Sequence, residues 1–209
     1  MQIITIAATK GGVGKTTIAA ALATAALAAR PGIRIGLVDL DPQGSLTSWW
    51  NCRDRREPQL LRQPEGDFRF DTAGARAAGF DLIIIDCPPG FSDILADAIA
   101  TADLVLIPTG PGMLDLSAIE MAEIFVETLY LPRHFVLNHA IYKSRLAGRA
   151  VRELSERGHL LRQVVHHRVA IAEAMRTGLT ALEVKPTGAA ARELAALWAE
   201  VNALLGRVP

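Results

Sequence analysis

Short apolar runs and longer alanine- and leucine-rich segments alternate along most of the chain. The short runs contain many β-branched residues and few charges, a pattern typical of strands that are buried on both faces of a parallel sheet. Residues 81–86, Asp-Leu-Ile-Ile-Ile-Asp, are the clearest of them. The other predicted strands are residues 2–8, 33–40, 104–108 and 135–138.

The segments between these strands have the composition of helices. Residues 16–30 contain no glycine or proline, and Pro31-Gly32 ends the segment. The other predicted helices are residues 92–100, 114–129, 146–157 and about 189–205. Repeated strand–helix units with connections of this length predict an α/β fold, with a doubly wound, mostly parallel sheet flanked by helices.

The domain organisation expected from this pattern is simple. The sequence has no internal repeat and no low-complexity linker, so residues 1–209 are predicted to form a single domain. Residues 51–79 are the least regular part, being polar and arginine-rich with two prolines, and they fit a loop, a short helix or a small lid. Ligands of such sheets lie at the carboxyl ends of the strands, where the informative residues are expected.

Composition excludes several classes of protein. Half of the 209 residues are hydrophobic and 22 Lys+Arg balance 22 Asp+Glu, which is incompatible with a generally disordered chain. Cys52 and Cys87 lack Cys-x-x-Cys spacing and predict reduced thiols. Neither a signal peptide nor a membrane-spanning run is apparent, and a cytoplasmic protein is expected.

A glycine-rich loop follows the first predicted strand. Residues 10–17 read Lys-Gly-Gly-Val-Gly-Lys-Thr-Thr, and a helix is predicted directly after them. Glycines allow backbone N–H groups to turn inward around phosphate oxygens, while Lys15 and Thr16 supply the cation and the hydroxyl of a P-loop. The common pattern has glycine where Thr9 stands, so this loop is a variant, with Lys10 as an additional cation. A nucleotide-phosphate site is predicted.

Acidic residues end two of the predicted strands. Asp39 and Asp41 follow the second strand, and Asp86 ends the strand of residues 81–86. Carboxylates at the same end of a sheet as a P-loop hold Mg²⁺ or orient attacking water. An aspartate at the end of a strand is also often a helix N-cap, and for Asp39 alone both interpretations remain open.

These motifs together resemble the ParA/MinD family of deviant Walker-A ATPases. The resemblance rests on residues 10–16, on Val38 to Ser45 (Val-Asp-Leu-Asp-Pro-Gln-Gly-Ser), on Ile85-Asp86-Cys87-Pro88-Pro89, and on residues 102–108 followed by Leu114-Asp115-Leu116. The Asp-x-Asp-Pro-Gln motif resembles that of the ParA branch of the family rather than that of the MinD branch. The P-loop strand starts the chain without a preceding helix-turn-helix, as in small plasmid-type, ParF-like ParA proteins.

The resemblance implies ATP and Mg²⁺ as cofactors, and slow, partner-stimulated ATP hydrolysis as the activity. Lys15 would bind the β- and γ-phosphates, and Asn138 matches the family's adenine-contacting asparagine. The remaining nucleotide-binding positions are Gly11, Gly12, Val13, Gly14, Thr16 and Thr17.

The metal and the catalytic roles also follow from the resemblance. Thr16, Asp39 and Asp86 would hold Mg²⁺, the two carboxylates through water, and Asp41 would position the hydrolytic water. Lys10 would reach across a nucleotide-sandwich homodimer to the phosphates of the other subunit. ATP would then hold the dimer together until hydrolysis releases it.

The zero net charge conceals a basic segment. Residues 133–176 contain nine Lys/Arg and three acids, together with all five histidines. Arg145, Arg149 and Arg152 have the i, i+4, i+7 spacing of one helical face, and Lys143 and Arg168 lie nearby in sequence. The family resemblance implies nonspecific binding to double-stranded DNA, which this segment would provide. The alternative is a solvated basic face, whereas the irregular histidine spacing argues against a metal site.

The apolar stripe of the last helix bears on a membrane role. Leu194, Leu197, Trp198, Val201, Leu204 and Leu205 recur at helical spacing. MinD-like proteins end in an amphipathic helix that lies on the bilayer with Lys/Arg on its polar face. Here the polar face carries Arg192, Glu193 and Glu200, with Arg207 beyond, so packing into the core is the preferred interpretation.

The sequence therefore predicts a small ParA-type ATPase that is cytoplasmic and associated with the nucleoid. ATP would form the dimer that binds DNA, and a ParB- or ParG-like or other cargo-bound stimulator would trigger hydrolysis and release. Repeated cycles would segregate a plasmid, a chromosome or another cargo. The alternatives are a MinD-like membrane-cycling ATPase and a metabolic or metallocentre P-loop ATPase.

Overall fold

Six parallel strands form one sheet in the computed structural model, which describes residues 1–63 and 70–206 apart from the side chain of Met121. The strands are β1 (Gln2–Ile6), β2 (Ile35–Asp39), β3 (Gln59–Leu60), β4 (Leu82–Asp86), β5 (Leu104–Thr109) and β6 (Arg133–Leu137). Their order is β3-β2-β4-β1-β5-β6, and all neighbours are parallel. The predicted α/β fold with a doubly wound sheet is confirmed.

The helices connect these strands and cover both faces of the sheet. They are α1 (Lys15–Ala29), α2 (Ser45–Asn51), α3 (Thr72–Ala77), α4 (Asp93–Ala100), α5 (Met113–Thr128), α6 (Arg145–Arg157), α7 (Val169–Arg176), α8 (Ala181–Val184) and α9 (Ala189–Leu205). The five predicted strands and five predicted helices are all present, with small differences in their bounds. The pattern did not predict β3, α2, α7 and α8, and it offered a short helix such as α3 only as one of three alternatives for residues 51–79. Residues 51–79 contain β3 and α3, and positions 64–69 lie outside the described residues.

The strands separate two hydrophobic cores. On one side Ile4 and Ile6 pack with α1, α2, α8 and α9, and on the other side Ile83 and Ile85 pack with α3, α4, α5 and α6. Successive residues of a strand point to opposite faces, so the central strands contribute to both cores. This explains why their sequences are continuous apolar runs rather than alternating ones.

Backbone hydrogen bonds cover the edge of the sheet at β6. Phe135 N–H donates to the His159 carbonyl at 2.9 Å, and Leu161 N–H donates back to the Phe135 carbonyl at 3.0 Å. Further along, His167 N–H donates to the Ala140 carbonyl at 2.8 Å. The segment between α6 and α7 thus runs alongside β6 and brings His167 to the carboxyl end of the sheet.

The last helix packs in the core, as its sequence predicts. Leu194, Leu197 and Val201 are buried in the core on the α1 side, with exposed fractions of 1% or less. Glu193 and Glu200, on the polar side, accept hydrogen bonds from the segment beside β6. Within residues 1–63 and 70–206, no helix has the length and apolar character needed to cross a bilayer.

Candidate nucleotide site

The loop between β1 and α1 has the backbone of an anion-binding loop. Gly12 and Gly14 adopt left-handed conformations with φ of 77° and 91°, which residues with a Cβ rarely adopt. Gly14 is the N-cap of α1, and no side chain caps that helix end. The first N–H groups of α1 are thus free to bind phosphate oxygens, and the helix dipole favours negative charge there. Lys15 follows with only 7% of its surface exposed.

Thr16 and Asp86 form a direct contact beside the loop. The Thr16 hydroxyl donates to Asp86 Oδ2 at 2.6 Å, while the buried Asp86 Oδ1 has no hydrogen-bond partner in the described part of the chain. The pKa of Asp86 is raised to about 7, chiefly by burial and to a smaller extent by Asp39, while the Thr16 hydrogen bond and Lys15 act in the opposite direction. A buried carboxylate oxygen without a partner fits a divalent cation nearby.

The donor set fits Mg²⁺ completed by a nucleotide. Asp39 and Asp86 are register partners at the ends of β2 and β4, so their carboxylates lie side by side. Within the described residues, no three His, Cys, Asp or Glu side chains form a metal cage by themselves. Mg²⁺ normally retains waters and takes substrate phosphate oxygens in addition to one or two carboxylates, which this site allows.

Asp39 also stabilises the start of α2. Its Oδ2 accepts from Thr47 N–H at 2.7 Å, and its Oδ1 accepts from Asp41 N–H at 3.2 Å. Asp41 in turn accepts from Gln43 N–H at 2.9 Å and is partly exposed. The helix-capping interpretation of Asp39 therefore describes a real contact. It is compatible with a metal role through water, because each oxygen retains a lone pair.

Two contacts tie the variant part of the loop to α5. Lys10 Nζ forms an ion pair with Asp115 Oδ1, and the Thr9 hydroxyl donates to the Ala118 carbonyl. Asp115 Oδ2 also accepts from Gly112 N–H at 3.1 Å, capping α5. Sequence reasoning quoted Asp115 as part of a motif but gave it no role. Its position in the first turn of a predicted helix signals a cap, whereas its pairing with Lys10 has no signal in the sequence.

Asn138 and His139 close the loop on the β6 side. Asn138 Nδ2 donates to the Val13 carbonyl at 2.8 Å and is almost fully buried. A Cβ on Gly14 would lie 2.2 Å from Asn138 Nδ2 and 3.1 Å from His139 Nε2, so this position needs glycine for space as well as for conformation. The predicted nucleotide residues thus meet around one loop. His139 is a neighbour that sequence reasoning did not identify.

The five predicted DNA contacts fall into two groups. Lys143, Arg145, Arg149 and Arg152 are exposed on or just before α6, and no ion pair between described residues includes them. Arg168 differs, because it forms a two-point contact with Glu193, which neutralises its charge. The structure therefore separates Arg168 from the free cations of α6.

The chain is similar to nucleotide-binding proteins over most of its length. A model of the family described as the CobQ/CobB/MinD/ParA nucleotide binding domain matches residues 4–181. The maintenance of carboxysome distribution protein A of Gloeobacter kilaueensis is 35% identical over 166 residues, which cover 78% of this chain and 71% of that relative. The chromosome-partitioning ATPase Soj of Thermus thermophilus is 38% identical over 134 residues, covering 50% of this chain and 53% of Soj.

A solved structure has the same fold. The septum site-determining protein MinD of Pyrococcus horikoshii, solved in complex with Mg-ADP, superposes with a TM-score of 0.80. The superposition covers 100% of this chain and 98% of that chain at 22% sequence identity. Similarity at this level of identity concerns the fold alone.

Proposed function

This chain belongs to the CobQ/CobB/MinD/ParA family of nucleotide-binding domains, as its motifs indicate, and we propose that it is a partition or positioning ATPase of the ParA type. The observation that carries this proposal is the pair of lysines in one loop. Lys15 is buried beneath the loop, whereas the Lys10 side chain is 39% exposed. Lys15 would serve the nucleotide of its own subunit, and the accessible Lys10 would reach the nucleotide of a second subunit.

Hydrolysis would use the residues around the loop for positioning and for charge neutralisation. Lys15 and the first N–H groups of α1 would hold the phosphates, while Thr16, Asp39 and Asp86 would hold Mg²⁺, the two carboxylates through water. Bound Mg²⁺ would neutralise charge on the phosphate oxygens. Asp41, partly exposed just after β2, would orient the attacking water.

The contact between Lys10 and Asp115 gives the dimer a two-state element. In the single chain Asp115 neutralises Lys10. When two ATP-loaded subunits face each other, the phosphates of one compete with Asp115 for the Lys10 of the other. ATP is then required for the dimer, and loss of the γ-phosphate weakens it.

The exposed cations at α6 would bind DNA through its phosphates. Arg145, Arg149 and Arg152 belong to the polar side of a helix whose other side packs Ala147, Ala150 and Leu154 into the core. Contacts of this kind are independent of sequence and strongly salt-dependent. Dimerisation doubles their number, which increases affinity for one DNA molecule.

The proposal also includes a cargo and a partner protein that is bound to this cargo. The named relatives concern carboxysome distribution and chromosome partitioning, so a cellular cargo positioned along DNA is the expected role. A protein on that cargo, comparable to ParB or ParG, would stimulate hydrolysis. Burial of the apolar stripe of α9 weighs against the alternative of a membrane-cycling ATPase.

ATP-dependent dimerisation is the measurement that distinguishes the role of Lys10 from that of Lys15. Molar mass is measured by light scattering with Mg-ATP, Mg-ADP and no nucleotide for wild type, Lys10→Ala and Lys15→Ala. Wild type is expected to dimerise only with ATP, Lys10→Ala to bind ATP as a monomer, and Lys15→Ala to bind ATP too weakly to dimerise. A Lys10→Ala protein that dimerises like wild type would overturn the proposal.

A further inference from the structure

The order of the strands fixes the direction in which a nucleotide can lie in the loop. Asp39 and Asp86 end β2 and β4, on one side of β1, whereas β5 and β6 lie on the other side. The terminal phosphates would lie near these carboxylates, because the Mg²⁺ that Asp39 and Asp86 would hold also takes phosphate oxygens. The nucleoside end must therefore leave the loop toward the end of β6, where His139 lies.

His139 is directed at the loop by its backbone. Its φ of 55° is left-handed, which is uncommon for a residue with a side chain. The flanking contacts hold this turn, since Asn138 binds the Val13 carbonyl and Ala140 N–H donates to the Val165 carbonyl at 3.3 Å. The imidazole Nε2 then approaches Gly14, and the residue remains solvent-exposed. An accessible imidazole at the phosphate loop is unexplained by the packing of the core.

A second imidazole lies behind His139. The ring centroids of His139 and His167 are 6.0 Å apart, and the backbone contact between His167 and Ala140 fixes their separation. Partial desolvation of the ring lowers the pKa of His139, His167 also lowers it, and Asp115, which is paired with Lys10, acts in the opposite direction. The neutral form of His139 is therefore favoured in the nucleotide-free protein.

We propose that His139 contacts the bound nucleotide at its sugar and α-phosphate, on the opposite side of the loop from the magnesium carboxylates. This inference rests on the nucleotide site of the proposed function and adds a residue to it. The neutral ring accepts or donates one hydrogen bond. Negative charge on the nearby phosphate favours the imidazolium form, so binding takes up a proton at slightly acidic pH and gains a charge-assisted hydrogen bond.

The test measures ADP binding without metal, so that Mg²⁺ coordination does not contribute. Affinity for ADP in EDTA is determined by calorimetry at pH 6 and pH 8 for wild type and His139→Gln. Glutamine retains hydrogen-bonding capacity but does not titrate. The ratio of the two dissociation constants, pH 8 over pH 6, is expected to be about fivefold smaller in His139→Gln than in wild type.

His159→Gln is the matched control. His159 is also exposed, also has a positive φ, of 63°, and also lies against a second histidine, with its ring 5.6 Å from that of His134. It adjoins the start of β6, at the opposite end of the strand from the loop. His159→Gln should leave the ratio as in wild type. His167→Gln should move the pH dependence to higher pH, because it removes the charge that lowers the pKa of His139.

Two results would be decisive against the inference. An unchanged ratio in His139→Gln would overturn it while leaving nucleotide binding intact. An imidazole resonance of His139 that does not shift when ADP is added would also overturn it. Wild-type protein that binds no ADP at all would instead overturn the proposed function, and this inference with it.

Discussion

The nucleotide loop and the basic surface of α6 carry charge in opposite ways. Around the loop, charged side chains have partners within the protein. Asp86 accepts from the Thr16 hydroxyl, Asp39 accepts from two backbone N–H groups, and Lys10 is paired with Asp115. On α6, Arg145 and Arg149 are exposed and take part in no ion pair between described residues.

The difference shows in which region the charged side chains are already paired and in which region they need another molecule to pair with. A buried charge must be paired or coordinated, so the loop is preorganised and depends on the residues of this chain and its nucleotide. Exposed arginines cost little without partners and gain energy only when an anion arrives. The effects of substitutions in the two regions are accordingly expected to differ in magnitude and in the property that changes.

Removing the buried lysine should have the largest effect. Lys15→Ala deletes the cation proposed to bind the β- and γ-phosphates, and loss of such charge-assisted hydrogen bonds is expected to weaken ATP binding by about 100-fold. Equilibrium binding of ATP, with Lys143→Ala as the control for an exposed lysine, checks this. Equal affinities in the two variants would contradict the assignment of Lys15.

Asp86→Asn should abolish ATP turnover and at the same time stabilise the nucleotide-free protein. The pKa of Asp86 is raised from 3.8 to about 7 when folded, so the folded state retains a proton that the unfolded state loses. Stability contributed by the protonated carboxyl is complete below about pH 4 and is lost as the pH rises to about 7. At pH 8 the variant gains up to ~4 kcal/mol relative to wild type.

Thermal unfolding in EDTA from pH 5 to pH 8 measures this effect. The melting temperature of wild type should fall across that range, and that of Asp86→Asn should fall much less. Thr16→Val, which loses the hydroxyl donor but leaves the carboxyl in place, should retain the fall. Parallel curves for wild type and Asp86→Asn would show that this carboxyl is not the titrating group.

Reversing one charge on α6 should have an intermediate effect that is confined to DNA. Arg149→Glu removes one phosphate contact and adds repulsion, so DNA affinity with ATP should fall about tenfold and the salt dependence should become less steep. ATP binding should not change. Arg62→Glu, at an exposed arginine beyond β3, is the control, and an equal loss in that variant would contradict the placement of the DNA surface.

The smallest effect on dimer formation is expected when the ion pair between Lys10 and Asp115 is removed. Asp115→Asn leaves Lys10 without its carboxylate, so the dimer should form at about threefold lower ATP concentration. The cap on α5 is lost only in part, because asparagine also accepts a hydrogen bond. A higher ATP requirement in the variant would contradict competition between Asp115 and phosphate.

The sequence predicts the nucleotide loop better than its surroundings, for a physical reason. The loop glycines and Lys15 lie between β1 and α1 in consecutive sequence. The local conformational preferences of these residues therefore suffice to bring them together. The partners of Lys10 and Thr9 lie over a hundred residues away and meet them only through the sheet order. The short α7 and α8 lack a long apolar period, and α2, which contains Trp49 and Trp50, starts from a cap supplied by Asp39 on β2. Only tertiary contacts reveal these elements.

Binding to random-sequence double-stranded DNA across a salt series, with ATP, with ADP and without nucleotide, tests the central claim most directly. If ATP assembles a dimer that presents the α6 arginines, binding will be tight with ATP alone and will weaken steeply with salt. Equal binding in all three states, or none with ATP when the dimer has been shown to form, would contradict an ATP-controlled DNA switch.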